Sequence, residues 1–261
     1  MDDCDKEKRF TYTGERLVQD KKLLKPQRVE NLARFNFFRQ YVPSGKILDY
    51  GCGTGEGTHF LSTFIDTKVV GIDISLEALQ FAQRYYNRKQ LNFVCGNILT
   101  ACLRNHMFDG IISVEVIEHI HDAHLFLSNV KSLLKSNGIF MLTTPNQLIS
   151  SPTKGSLWPD HVREYTAEEL RLLLLQFFNN VKIFGEYIPI YENNPLRKMI
   201  KKLSPHVKPH LPKWLRVRAL SLLFTTIKPD LNIENVIFTS KNINQFPTLV
   251  AICSNSTVSN E

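Results

Sequence analysis

Two stretches of the 261-residue chain combine residue types that could do chemistry. The first is Val114-Glu115-Val116-Ile117-Glu118-His119, where helical winding would set Glu115, Glu118 and His119 at i, i+3 and i+4 on one face. Two carboxylates and an imidazole so placed could hold a hard cation, move protons, or simply shape a pocket. A polar loop from Thr144-Pro145-Asn146 to Thr166 carries His161 and is long enough to bring it to the same place. The second stretch is Asp49-Tyr50-Gly51-Cys52-Gly53-Thr54-Gly55-Glu56-Gly57. Its glycines permit tight turning and let a ligand approach without meeting a β-carbon. The dinucleotide fingerprint G-x-G-x-x-G fails in both registers, because Glu56 or Thr58 stands at the third glycine's place. No phosphate loop of the G-x-x-x-x-G-K-[ST] type occurs either. Cys52 reads as a small packing residue, since no His or Asn partner is implied near it.

These stretches need a frame. Short apolar runs at Lys46–Tyr50, Val69–Ile74, Leu91–Cys95, Asp109–Val114 and Gly138–Thr143 read as buried strands. Helical patterns lie between them: Ser75 caps one, and Asp122 caps another that should run to Asn137-Gly138. Thr166-Ala167-Glu168-Glu169 is a capping box ahead of a leucine-rich helix. Val181–Ile190 and Thr248–Cys253 read as the last two strands. Strands alternating with helices predict a parallel sheet covered on both faces, in a doubly wound α/β fold.

The D-x-G-x-G-x-G loop after the first strand resembles that of the class I S-adenosylmethionine-dependent methyltransferases. The likeness extends over residues 40–190 and implies their Rossmann-like, seven-stranded sheet. It implies that Asp49, Gly51, Gly53 and Gly55 surround the methionine part of the cofactor, and that Asp73, followed by Ile74, takes the ribose hydroxyls. Asn97 and Ile98 fall where the family reaches the adenine, with Asn97 replacing the usual Asp, and Glu115 is a further cofactor contact. The E-x-x-E-H…H set resembles methyltransferases of the 3′-terminal ribose of small RNAs, which implies Mg²⁺ or Mn²⁺ on Glu115, Glu118, His119 and His161. Ubiquinone-pathway and glycan O-methyltransferases carry similar patterns. A metal-free His119 or His161 acting as general base, or a structural role for the cluster, remains open beside the metal reading.

Composition bounds the rest. Hydrophobic residues make up 43% and charged residues 22%, which excludes wholesale disorder. No apolar run reaches the ~20 residues of a membrane-spanning helix. The N-terminus lacks a signal-type apolar core, and five cysteines without a C-x-x-C pair suit a reducing cytosol. The net charge of +7 is concentrated between Pro195 and Asp230, with nine Lys or Arg against one acid. Residues 195–228 mix these with Trp214, Leu and Phe, as a covering subdomain or a peripheral membrane contact would; nucleic acid is a weaker reading. Tyr12-Thr13-Gly14-Glu15-Arg16-Leu17-Val18 resembles the lead-in of bacterial methyltransferases from surface-polysaccharide pathways. The expected organisation is one domain: lead-in 1–42, cofactor core 43–190 plus 245–254, and basic insertion 191–244. The expected activity is methyl transfer to a hydroxyl of a sugar or glycan, in the cytoplasm. The alternatives are a quinone-like acceptor, terminal RNA ribose, or a non-catalytic recruitment module.

Overall fold

The computed structural model describes residues 25–41, 44–64, 68–151, 160–189 and 231–255. The lead-in at 12–18 and the basic stretch 195–228 lie outside these residues. Helix α1 (Lys25–Phe38) leads into β1 (Lys46–Tyr50), α2 (Glu56–Phe64), β2 (Lys68–Asp73), α3 (Leu76–Tyr85) and β3 (Leu91–Cys95). Next come β4 (Phe108–Val114), a 3₁₀ turn at Ile117–His119, α4 (Ala123–Leu133), β5 (Leu134–Pro145) and the single-turn α5 (Gln147–Ser150). The chain closes with α6 (Ala167–Leu175), β6 (Asn180–Tyr187), β7 (Ile237–Thr239) and β8 (Thr248–Ser254).

The strands form one sheet in the order β3-β2-β1-β4-β5-β8-β6-β7. Pairs from β3 to β5 are parallel, whereas β8, β6 and β7 join antiparallel. All seven expected strands are present. The eighth, β7, is a three-residue edge strand on β6, from the stretch assigned by sequence to the insertion.

Side chains alternate across each strand, so one sheet feeds two cores. Leu48, Phe140, Leu142 and Ala251 face α4 and α6, meeting Phe126, Leu127, Leu170 and Leu174. Ile47, Met141, Val250 and Ile252 face the opposite way, toward Phe35, Phe38 and Leu61 of α1 and α2. Each fully buried Leu, Ile or Phe stabilises the fold by about 1.5–3 kcal/mol.

The helix starts behave as their caps predict. The Ser75 hydroxyl accepts from the Ala78 N–H at 3.2 Å, and the Asp122 carboxylate from the Leu125 N–H at 2.9 Å. Thr166 and Glu169 form a complete capping box. Helix α4 ends at Leu133, earlier than its sequence pattern predicts. Leu134 is buried and pairs with Phe108, so the sheet captures residues that local propensity would leave helical. Among the described residues, no helix is long and apolar enough to cross a membrane.

Candidate functional site

The strand order reverses between β1 and β4, and open α/β sheets bind ligands at such a point, beyond the strands' carboxyl ends. The glycine loop leaves β1 there, and Glu115–His119 leaves β4 beside it. Gly51, Gly53 and Gly55 have φ of +94°, +53° and +77°. A β-carbon on Gly51 would lie 2.6 Å from Val116, and one on Gly55 2.6 Å from the Phe93 ring. At Gly53 a β-carbon would meet nothing within 4 Å, so this turn of the loop faces open space, as a cradle for a ligand requires.

Asp73 ties the cradle together. Its Oδ2 accepts from the Gly53 N–H and its Oδ1 from the Ser75 N–H, each at 2.8 Å. Asp49 lies beneath the loop, accepting from the Thr58 hydroxyl at 2.6 Å. It is buried, so its part is to brace the loop. Burial pushes its carboxyl up to about 7, against the pull of the Thr58 hydrogen bond. Cys52 packs its sulfur against Gly71, where a β-carbon would come within 2.8 Å. Burial beside Asp49 and Asp73 raises its thiol well above the usual range, so it is a packing residue and no nucleophile. At the end of β2, Ile74 is 64% exposed and Leu76 59%, an apolar ledge suited to an aromatic base. Asn97 is exposed and caps its own turn, its Oδ1 accepting from the Leu99 N–H at 2.9 Å. The Ile98 carbonyl accepts from the Tyr50 hydroxyl.

The acid–histidine segment departs from the helical expectation. Glu115 takes a left-handed conformation (φ +54°), rare for a residue with a side chain, and Ile117–His119 form a 3₁₀ turn. The structure brings Glu118, His119 and His161 together, with one potential ligand atom from each within 4.8 Å of the others. Glu115 is not among them. Its Oε1 accepts from the Thr143 hydroxyl at 2.8 Å and lies 3.5 Å from the Arg34 guanidinium.

Glu118 is fully buried; its Oε2 accepts from Thr144 at 3.0 Å, and its Oε1 has no hydrogen-bond partner. Burial, and then the charge of Glu115, pushes its carboxyl well above the ordinary carboxylate range. The His119 Nδ1 lies 3.0 Å from the Asp160 carbonyl, and the His161 Nδ1 lies 2.7 Å from the buried Glu164 carboxylate. Each contact fixes a tautomer with the proton on Nδ1, leaving Nε2 as the basic nitrogen; this is how metal-binding histidines are usually oriented. The loop bearing His161 is fastened to the turn, since the Val162 and Arg163 N–H groups both donate to the Glu118 carbonyl. A hard carboxylate, two oriented imidazoles and an orphaned buried oxygen fit a divalent cation.

Sequence reasoning missed Arg34, Glu164 and Glu186, and Glu186 carried no signal at all. Glu164 had a faint signal, standing three residues after His161. Arg34 had another, as the one cation in Leu32-Ala33-Arg34-Phe35 of an otherwise apolar face.

A methyltransferase-domain family matches residues 42–201. The chain belongs to the class I S-adenosylmethionine-dependent methyltransferases. A probable S-adenosylmethionine-dependent methyltransferase of Mycolicibacterium smegmatis is 31% identical over 129 residues, 49% of each chain. A ubiquinone biosynthesis O-methyltransferase of Pelagibacter ubique is 31% identical over 107 residues, 41% of this chain and 44% of the relative. The chain thus spans about half the length of these curated relatives. A Thermotoga maritima methyltransferase structure, described as a possible histamine N-methyltransferase, shares the fold with a TM-score of 0.59 at 15% identity. It covers 89% of this methyltransferase and 92% of its own chain.

Proposed function

We propose that this methyltransferase moves the methyl group of S-adenosylmethionine onto a hydroxyl of a sugar or glycan, held at Glu118, His119 and His161. The observation that carries the reading is the buried, unpartnered Glu118 Oε1 beside two imidazoles whose Nδ1 atoms are already committed. When bound, S-adenosylmethionine supplies a methyl on a sulfonium, a good electrophile that needs an oriented nucleophile more than a strong base. When bound, Mn²⁺ or Mg²⁺ supplies the charge that acidifies and fixes a sugar hydroxyl. The cradle from Gly51 to Gly55 and the Asp73 carboxylate would orient the first; Glu118, His119 and His161 would hold the second. Thr144 fixes the rotamer of Glu118, and the Asp160 carbonyl and Glu164 fix those of the two histidines.

The sugar acceptor is supported by the resemblance of the lead-in at residues 12–18 to surface-polysaccharide enzymes. The basic, apolar stretch 195–228 suits a lipid-carried acceptor at an anionic membrane face. A quinol acceptor is the second reading, favoured by the likeness to ubiquinone O-methyltransferases. The 2.7 Å contact of His161 with Glu164 also supports a metal-free route, in which His161 Nε2 takes the hydroxyl proton and Glu164 stabilises the imidazolium.

The test is transfer of a labelled methyl group over a panel of glycans, quinols and RNA ends, in EDTA and after Mn²⁺ is restored. Transfer to a glycan hydroxyl that stops in EDTA and returns with Mn²⁺ is the expected result. Full activity in EDTA removes the cation and leaves His161 as the base. Transfer to amines alone defeats the O-methylation reading.

A further inference from the structure

Thr143 and Thr144 are consecutive in β5, and consecutive strand residues project to opposite faces of a sheet. The flanking residues confirm the faces, since Met141 joins the core under α1 and Leu142 the core under α4 and α6. The Thr143 hydroxyl donates to Glu115 and the Thr144 hydroxyl to Glu118. The two glutamates are therefore fastened to opposite faces of one strand end. On the α1 face, Arg34 is buried, its Nε donating to Glu186 at 2.7 Å and its Nη2 to Thr248 at 3.4 Å. Its remaining nitrogen, Nη1, is the one that lies 3.5 Å from Glu115. Burial alone would lower the guanidinium's pKa, but Glu186 and Glu115 hold it far above, so the group stays charged. One fixed cation thus pairs with buried Glu186 and partly exposed Glu115, while its charge also reaches Glu30 and Glu118. Glu115 also stands next to Val116, whose side chain touches Gly51 of the cradle.

We propose that Arg34 is a positioning residue that holds Glu115 on the glycine-loop side of the cleft, outside the Glu118–His119–His161 cluster. Glu118, His119 and His161 would then be the residues that hold a divalent cation, while Glu115 would be left on the side of the cationic cofactor. This departs from the four-ligand set that the sequence pattern implies. It rests on the proposed function for the nature of both ligands, and the two are tested by separate measurements.

The test uses the whole chain and calorimetry with two probes: Mn²⁺ alone, and S-adenosylmethionine in EDTA. Glu115→Gln should leave the Mn²⁺ dissociation constant nearly unchanged, whereas Glu118→Gln should raise it at least about tenfold. Glu115→Gln should weaken S-adenosylmethionine binding by roughly tenfold, the size of one lost charged contact. Arg34→Ala would strand Glu186 in the core, so the informative variant is Arg34→Met with Glu186→Gln, which neutralises both. Freed from Arg34, Glu115 can swing toward the cluster, so this variant should bind Mn²⁺ more tightly than wild type. Adding Glu115→Gln should erase that gain, a coupling that a merely structural Arg34 would not produce. Loss of Mn²⁺ binding in Glu115→Gln equal to that in Glu118→Gln overturns the proposal. Unchanged S-adenosylmethionine affinity in Glu115→Gln overturns it as well. If the wild-type chain binds no Mn²⁺, the metal centre of the proposed function falls, and the S-adenosylmethionine measurement alone decides the Arg34–Glu115 assignment.

Discussion

Replacing Glu118 by glutamine separates what this residue does for a cation from what it does for the fold. Glu118 is fully buried, accepts one hydrogen bond from Thr144, and leaves Oε1 without a partner. Burial favours its neutral acid, which glutamine matches in size and shape. The unmade hydrogen bond at Oε1 costs about 1–3 kcal/mol in the wild type, and a glutamine amide there pays a similar penalty. In EDTA the two proteins should therefore melt within about 2 °C of each other, equivalent to roughly 1 kcal/mol at this size. With Mn²⁺ at about 100 times its dissociation constant, linkage stabilises the wild type by about 2.7 kcal/mol. A melting entropy near 2.1 cal/mol/K per residue over the chain gives about 0.55 kcal/mol/K, hence a rise of about 5 °C. Glu118→Gln should show none of that rise. Thermal melts of both proteins in EDTA and across a Mn²⁺ titration read both effects. An equal Mn²⁺-dependent rise in the variant would refute the site. A large loss of stability in EDTA would refute the claim that Glu118 is buried for its ligand role.

Asp73→Ala should weaken S-adenosylhomocysteine binding by about 1–3 kcal/mol, because the carboxylate holds Gly53 of the cradle and is the proposed partner of the ribose hydroxyls; an unchanged calorimetric affinity would remove it from the site. His161→Ala should lower turnover while S-adenosylhomocysteine affinity holds, and an equal fall in that affinity would place His161 on the cofactor side. Asp49 has its carboxyl raised from 3.8 to about 7, so the folded state holds the proton more tightly than the unfolded chain. That contribution is complete below about pH 4 and is lost as pH rises through 7, on the order of 4 kcal/mol at most. Asp49→Asn should flatten this part of the stability profile, and denaturant melts between pH 4 and 8 with an unaltered slope would contradict the assignment.

What the sequence disclosed was what is local. The D-x-G-x-G-x-G loop, the Ser75 and Asp122 caps and the Thr166–Glu169 box each carry their signal within a few residues, and each takes the form its chemistry dictates. The end of α4 departs from its sequence pattern because Leu134 answers to Phe108 in the neighbouring strand rather than to its own helix. Glu115, Glu118 and His119 do not take the helical i, i+3, i+4 arrangement expected of them. A left-handed Glu115, held by Thr143 and Arg34, turns its carboxylate away before the turn begins. Arg34 itself was illegible, because its partners Glu186 and Thr248 lie 152 and 214 residues further along.

That separation has a bearing on how the chain is made. Protein synthesis adds roughly 5–20 residues per second, so about 10–40 s pass between the emergence of Arg34 and that of Thr248. Until β6 emerges α1 has neither that strand nor β8 to dock on, and Phe37 lacks Phe184 and, for longer, Phe238, two of its ring partners in the finished sheet. The nascent β1–β5 half can pair its parallel strands, yet Arg34 has no buried counter-ion until Glu186 follows. Completion thus falls to residues 231–255, which bring β7 and β8. A truncation before Thr248 should accordingly yield a species recognised by chaperones and proteases rather than a partly active enzyme.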